Sequence, residues 1–241
     1  IQASSNPGDV VLDPFCGCGT ALDAAQALDR RWIGIDITHV AIGLIKSRLI
    51  GRYGPGVTDT FRTIGEPTTV DDAAVLARED PFQFQAWALG LVGARHAGSD
   101  RRGGDKGIDG ELFFHDSPGG DTKQIVISVK AGKIGPDHLR DLRGVIDREE
   151  AQIGVLLSFE EPTSGMRSEA ASAGFYNSPW GRHPRLQMYT VGELLDGKRI
   201  DYPPTQTNVT YRRAARAVLP QGEQTALRFD ADEEAVEDEE A

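Results

Sequence analysis

Residues 9–20, with the sequence DVVLDPFCGCGT, decide the fold of the first part of this 241-residue chain. The first five form a short apolar run behind the turn signal Asn6-Pro7-Gly8, which predicts a strand. A loop with Gly17 and Gly19 follows, and residues 21–28 are strong helix formers. A strand that passes through a glycine loop into a helix is typical of the ligand-binding edge of a parallel sheet.

The residues that follow extend this pattern. Residues 32–37 (WIGIDI) are apolar on both faces, which predicts a buried parallel strand. Thr38 can cap the next helix. That helix has an apolar stripe formed by Val40, Ala41, Leu44, Ile45 and Leu49. Strands that alternate with helices predict an α/β unit with a parallel sheet.

An acid at the end of the second predicted strand points to the ligand. Asp36 lies 19 residues after Gly17, and a carboxylate at this place can accept both hydroxyls of a ribose. A dinucleotide site would have the pattern GxGxxG, but its third glycine position is Leu22 here. The pattern therefore favours a single nucleoside. A nicotinamide-dependent oxidoreductase and a bare strand-to-helix turn are the weaker alternatives.

Residues 4–20 (SSNPGDVVLDPFCGCGT) and 30–37 (RRWIGIDI) resemble the amino-DNA methyltransferases that use S-adenosylmethionine. The resemblance covers residues 1–52 and implies part of a Rossmann-like methyltransferase unit. It implies that the loop surrounds the methionine part of the cofactor, that Asp36 binds the ribose, and that Ile37 flanks the adenine. The implied cofactor-binding residues are Asp13, Pro14, Phe15, Cys16, Gly17, Gly19, Thr20, Asp36 and Ile37.

The catalytic strand of that family, (D/N/S)PP(Y/F/W), binds the flipped base, and the sequence lacks it. Residues 202–205 have only the two prolines and residues 177–180 only the flanking residues, so we expect both to be ordinary turns. In one permuted class of the family, the catalytic motif and the target-recognition region precede the cofactor loop. The chain begins at Ile1 rather than Met, and we expect it to be the carboxyl-terminal part of such an enzyme.

A second pattern begins with a predicted helix at residues 82–92. Two predicted strands, 111–115 and 124–130, follow the glycine-rich residues 104–110 (GDKGIDG). Period-two alternation places Ser128 and Lys130 on one face of the second strand. A lysine at a strand end with an aspartate beside it is the geometry of a metal-dependent phosphodiesterase, in which the acid, here Asp109, would hold Mg²⁺.

With the α/β alternation that follows, residues 80–204 resemble an Mrr-type restriction-endonuclease domain. By position, its D…(D/E/Q)xK signature implies Asp109, Ser128 and Lys130 as catalytic residues. Ser128 departs from the usual carboxylate or amide, and Gln85 stands where some related nucleases have a further acid. Two interpretations remain open: a Mg²⁺-dependent nuclease, or a DNA-binding module in which Asp109 and Lys130 form only an ion pair. Glu111 has no assigned role.

Composition sets the remaining expectations. The net charge is −11, but 8 of the 37 acidic residues lie in residues 230–241, and the remaining 29 against 26 basic residues leave −3. We expect that tail to be disordered. The sequence has no apolar run of about 18 residues, the length a transmembrane helix needs. Its only cysteines, Cys16 and Cys18, are poorly placed for a disulfide, so reduced thiols in a cytoplasmic protein are expected.

The predicted organisation is a methyltransferase part (1–52), a linker (53–79), a restriction-endonuclease-like α/β domain (80–204) and a tail (205–241). The predicted function is methyl transfer from S-adenosylmethionine to an exocyclic amino group of adenine or cytosine in double-stranded DNA. The alternative is a nuclease or DNA-binding module in which the methyltransferase part is only a scaffold. Candidate phosphate contacts are Arg101, Arg102, Lys106, Lys133, Arg140 and Arg143.

Overall fold

A computed structural model describes residues 1–97, 107–117, 120–204 and 210. The candidate phosphate contacts Arg101, Arg102 and Lys106 lie outside the described residues. The acidic tail at 230–241 lies outside them as well. No helix among the described residues has the length and apolar character to cross a membrane.

The first part of the chain forms a small α/β unit. Its elements are β1 (Val10–Asp13), α1 (Thr20–Ala27), β2 (Arg31–Gly34) and α2 (His39–Tyr53). Strands β1 and β2 pair in parallel along their whole length. Thr38 caps α2, because its side chain accepts a hydrogen bond from the Ala41 amide at 3.1 Å. The predicted strand, loop, helix, strand and capped helix are confirmed.

The two faces of this two-stranded sheet differ. Cys16, Leu22, Ile45 and Leu49 are buried on the helix side. On the other face Val10, Leu12, Ile33 and Ile35 are each at least half exposed. The prediction that residues 32–37 form a strand buried on both faces is therefore wrong for the described residues. Parallel sheets are normally covered on both sides, so this unit has the surfaces of an incomplete α/β domain.

The predicted linker contains two ordered elements. A short 3₁₀ helix spans Pro55–Thr60, and α3 (Val70–Glu79) begins at a capping box formed by Thr69 and Asp72. Two small side chains of α3, Ala73 and Ala77, are buried in the same cluster as aromatic residues of the next helix. In the structure α3 therefore packs with the second unit, and the predicted linker boundary at residue 79 stays a prediction.

The second unit is a mixed α/β sandwich. Its helices are α4 (Pro81–Leu91), α5 (Pro136–Arg148), α6 (Ser164–Ser172) and α7 (Val191–Leu195). Its strands are β3 (Arg95–His96), β4 (Gly110–Phe114), β5 (Lys123–Lys130), β6 (Ile153–Ser158), β7 (Phe175–Ser178), β8 (Gly181–Pro184) and β9 (Leu186–Thr190). The five-stranded sheet has the order β3-β4-β5-β6-β9, and β7-β8 is a separate hairpin.

Alternation along β5 determines which helices cover each face of this sheet. Ile125, Ile127 and Val129 lie in the cluster with α3, α4 and α7. Val126 lies in the cluster with α5 and α6 on the opposite face. Strands β5, β6 and β9 are parallel, whereas β4 is antiparallel to β5. The predicted period-two pattern and the mixed α/β class are confirmed.

The two units touch along α2 and α4. The backbone amide of His39, at the start of α2, donates a hydrogen bond to the Gln83 side chain at 2.8 Å. Two residues further along α4, the Gln85 side chain donates to Asp109 at 3.1 Å. One helix turn of α4 therefore contacts both the segment after Asp36 and the predicted nuclease-like residues.

Candidate cofactor site and nuclease-like site

The glycine loop is held by backbone hydrogen bonds at the carboxyl end of the parallel pair. The Cys16 amide donates to the Ile35 carbonyl at 3.0 Å, and the Gly19 amide donates to the Cys16 carbonyl at 2.7 Å. The Phe15 amide donates to the Asp13 side chain at 3.2 Å. These bonds turn the chain sharply between β1 and α1 and leave Phe15 pointing outward with 89% of its surface exposed.

Asp36 connects this loop to the start of α2. Its Oδ2 accepts a hydrogen bond from the Gly17 amide, and its Oδ1 accepts two from the amide and hydroxyl of Thr38, all at 2.9 Å. Burial opposes ionisation, but the hydrogen bonds from Thr38 and Gly17 outweigh it and hold the pKa of Asp36 below its usual range. The carboxylate is therefore charged and fixed in orientation.

These bonds limit what Asp36 can bind. A carboxylate offers about four acceptor positions, and protein donors occupy three of them. One position remains, on Oδ2. Asp36 can therefore accept one ribose hydroxyl, and the other hydroxyl needs a second acceptor or the displacement of Thr38. The assignment of Asp36 to the ribose stays a prediction.

The structure divides the other predicted cofactor residues into two groups. Pro14, Phe15 and Ile37 are exposed, with Ile37 at 94%, and Thr20 is the first residue of α1. The Cys16 thiol instead lies in the buried cluster of the first unit, and burial raises its pKa. Both cysteines are free thiols.

The two glycines of the loop serve different purposes. Both adopt positive φ, 45° at Gly17 and 73° at Gly19. A Cβ on Gly17 would meet nothing closer than a carbonyl oxygen at 3.9 Å, so this glycine leaves open space beside Asp36. A Cβ on Gly19 would lie 2.6 Å from the Ile45 side chain, so this one lets α1 approach α2.

We expect Gly19→Ala to destabilise the protein by about 2–5 kcal/mol. The left-handed backbone costs a residue with Cβ about 1–2 kcal/mol, and the clash with Ile45 adds an overpacking cost of about 1–3 kcal/mol. Gly43→Ala, in the middle of α2 with nothing within 4 Å, is the control and should stabilise by about 0.5–1 kcal/mol. Urea denaturation measures both. Equal stabilities would contradict the packing role of Gly19.

A cleft of about 1030 Å³ lies beside β2 and includes Asp36 and Ile37 in its lining. It is large enough for a nucleoside, since ligand pockets usually measure about 300–1,000 Å³. Of the predicted cofactor residues, Cys16, Asp36 and Ile37 line this cleft, and the Asp36 carboxylate has the chemistry to accept a ribose hydroxyl of S-adenosylmethionine.

The second predicted site is a closed set of hydrogen bonds around Asp109. Its Oδ2 accepts from the Val129 amide at 2.7 Å and from the Ser128 hydroxyl at 3.2 Å, and its Oδ1 accepts from Gln85 at 3.1 Å. The Lys130 ammonium lies 3.8 Å from Oδ2. The structure thus brings together Asp109, Ser128, Lys130 and Gln85, as the sequence predicted.

This arrangement does not fit a magnesium site. Mg²⁺ prefers charged oxygens that replace some of its waters, whereas Ser128 and Gln85 donate hydrogen bonds to Asp109, the one carboxylate that the described residues bring to this cluster. Among the described residues, no three His, Cys, Asp or Glu side chains are grouped so that they could hold a metal ion. Glu111 does not join the cluster, because its carboxylate is hydrogen bonded to Arg95 at 2.9 Å and Gln124 at 3.1 Å.

The candidate phosphate contacts that the structure describes are only partly available. Arg140 and Arg143 lie 3.3 and 4.0 Å from the Glu169 carboxylate, and Lys133 is exposed. The ion pairs lower the positive potential at this surface, so three residues alone are weak support for a DNA-binding face.

The sequence did not predict a series of hydrogen-bonded polar side chains around His183. The two nitrogens of the buried His183 contact Ser178 Oγ at 3.3 Å and Asp201 Oδ1 at 2.7 Å. Ser178 also donates to the Gly181 carbonyl and accepts from the Trp180 amide, both at 3.1 Å, so its oxygen serves the turn of the β7-β8 hairpin. These hydrogen bonds connect the hairpin to the segment after α7. The residues are too far apart in sequence to give a spacing signal.

Two family models match separate parts of the chain. The model described as DNA methylase matches residues 1–47, and the model described as NACHT-associated inactive Restriction Endonuclease 1 matches residues 82–196. The methyltransferase match lies at the amino-terminal end of this chain, not at its carboxyl-terminal end. That it corresponds to the last part of a methyltransferase stays a prediction.

Several curated relatives match just over a fifth of the chain. The chain is similar to the Type II methyltransferase M.EcaI of Enterobacter cloacae, with 55% identity over 57 residues, 23% of this chain and 13% of the relative. It is similar to M.HpaI of Haemophilus parainfluenzae, with 53% identity over 53 residues, 22% of this chain and 17% of the relative. It is also similar to the DNA adenine methyltransferase YhdJ of Escherichia coli, with 46% identity over 55 residues, 22% of this chain and 19% of the relative.

The chain thus spans less than a fifth of the length of these relatives. The comparison with solved structures gives no match. The chain consists of a DNA-methyltransferase segment at its amino-terminal end followed by a restriction-endonuclease-like domain.

Proposed function

We propose that residues 1–52 are the cofactor-binding, carboxyl-terminal part of an enzyme that methylates an exocyclic amino group of adenine or cytosine in DNA. The observation that carries the proposal is Asp36, which is fixed by Gly17 and Thr38 with one acceptor position left beside the open glycine loop. S-adenosylmethionine supplies the methyl group, and this segment orients its ribose. A cytoplasmic location, with access to DNA and cofactor, fits this role.

The exposed face of the first sheet supports an incomplete domain. Val10, Leu12, Ile33 and Ile35 form an apolar surface on strands that lack a covering layer among the described residues. A methyltransferase also needs a polar and aromatic strand to hold the flipped base, and this chain supplies none. Ile33 and Ile35 also line the cleft beside β2, so we infer that further methyltransferase polypeptide covers Val10 and Leu12 and contributes the catalytic strand.

A chimeric enzyme tests the proposal. Residues 1–52 would replace the matched segment of E. coli YhdJ, and transfer of labelled methyl groups to DNA would be measured. We expect the chimera to methylate DNA and the present chain alone to transfer no methyl group. The same chimera with Asp36→Ala is the control for cofactor binding. A folded chimera without activity, or incorporation by the chain alone, would contradict the proposal.

For the second unit we propose that it binds double-stranded DNA and does not cleave it. The absence of cleavage is supported by the hydrogen bonding of Asp109, whose oxygens are occupied by donors from Gln85, Ser128 and Val129. The DNA partner is supported by the match to a restriction-endonuclease family. The matching family is described as inactive. The alternative, a Mg²⁺-dependent endonuclease with the first unit as a scaffold, would require these donors to turn away from Asp109.

A further inference from the structure

We propose that residues 61–66, beyond the methyltransferase-matched segment, form the second wall of the nucleoside pocket. In this arrangement Ile64 packs on the adenine ring opposite Ile37, and Glu66 accepts a hydrogen bond from the adenine amino group. The inference rests on the proposed cofactor site and specifies which residues select the base.

The cleft beside β2 is lined both by the segment around Asp36 and by residues 61–66. The lining of the cleft includes residues 29–39, among them Asp36 and Ile37, and also residues 60–66 at the end of the 3₁₀ helix and after it. At one end the rings of Trp32 and Phe61 are 5.5 Å apart. The ribose-binding candidate and residues 61–66 therefore face one continuous space.

Two exposed aliphatic side chains of the cleft can contact a purine ring. Ile37 is 94% exposed and Ile64 is 79% exposed, and both line this cleft. Large apolar side chains gain free energy when a flat ring removes them from water. A purine attached to a ribose at Asp36 is such a ring, and it would cover surface on both walls.

Glu66 supplies the polar group that an adenine needs. Its Oε2 is paired with the Lys46 ammonium at 2.5 Å, which fixes the carboxylate at the cleft. Its Oε1 accepts no hydrogen bond from the described residues. A carboxylate oxygen accepts from the amino group of adenine, whereas the carbonyl of hypoxanthine at the same position offers no proton. Glu66 therefore favours an adenine over a deaminated base.

Binding measurements on the present chain test the inference, because it places both walls of the pocket in this chain. S-adenosylhomocysteine and S-inosylhomocysteine would be titrated and followed by ligand-observed NMR and calorimetry. We expect the chain to bind S-adenosylhomocysteine, Ile64→Ser to weaken that binding about tenfold, and Glu66→Gln to reduce the preference for the adenine ligand about tenfold.

Matched controls are Ile50→Ser and Glu79→Gln, which remove an exposed isoleucine and an exposed glutamate outside the cleft. Both should bind like the unmodified chain. If the unmodified chain does not bind S-adenosylhomocysteine, or if Ile64→Ser and Glu66→Gln bind normally while Asp36→Ala does not, residues 61–66 are not the second wall. The proposed methyltransferase role would survive both outcomes, because it is tested by methyl transfer in the chimera, whose polypeptide beyond residues 1–52 comes from YhdJ.

Discussion

Asp36→Ala is expected to weaken S-adenosylmethionine binding about 10- to 150-fold, measured by calorimetry on the YhdJ chimera. A hydrogen bond to a charged group contributes about 1.5–3 kcal/mol, which corresponds to this range of affinity. The substitution removes the one acceptor position left for the ribose. It also leaves the Gly17 amide without its acceptor at 2.9 Å, so the loop that should face the methionine part loses an anchor.

Asp9→Ala is the matched control, since Asp9 is an exposed carboxylate of the same segment, just before β1. It makes the same change in charge and should leave the affinity unchanged. Circular dichroism at the same temperature would show that both variants are folded. If both variants bind the cofactor as well as the unmodified chimera, Asp36 is only a cap for the loop and for α2.

The sequence was sufficient to predict the strand, the glycine loop and the capped helix around Asp36, because their determinants are local. The apolar run before Asp13 and the glycines after it specify the turn, and Thr38 specifies where α2 begins. What remained hidden was the number of donors on Asp36. A pattern of residue types does not show that Gly17 and Thr38 already occupy most of the carboxylate.

Burial was harder to predict than secondary structure. An apolar strand such as residues 32–37 predicts that other elements pack on both of its faces. Whether they do depends on polypeptide that is distant in sequence or lies outside this chain. The same limit applies to α3. Its small residues Ala73 and Ala77 carry little hydrophobic signal, yet they allow close packing against Phe84 and Trp87 of the second unit.

The nuclease-like cluster shows what residue identity alone leaves open. Alternation on β5 correctly placed Ser128 and Lys130 on the face of Asp109. The pattern of residue types could not predict the directions in which the Ser128 hydroxyl and the Gln85 amide point. With a glutamate in either place the same fold would gather two carboxylates, a far better magnesium site.

The stability of the second unit is expected to depend strongly on Asp109. Asp109→Ala should lower the free energy of unfolding by about 2–4 kcal/mol, because it leaves the Val129 amide, the Ser128 hydroxyl and the Gln85 amide without their acceptor in a largely buried place. In an active nuclease the opposite result is common, since catalytic carboxylates are often held at a cost in stability.

Urea denaturation of Asp109→Ala and of Asp141→Ala, an exposed aspartate on α5, distinguishes the two cases, with no change expected for the control. In parallel, supercoiled plasmid with Mg²⁺ should not be nicked by the unmodified chain. Lys130→Ala should bind DNA nearly as well as the unmodified chain, because one phosphate contact is a small part of the electrostatic affinity. Nicking that disappears in Lys130→Ala and increases in Ser128→Glu, together with an unchanged stability of Asp109→Ala, would overturn the binding role and restore the nuclease.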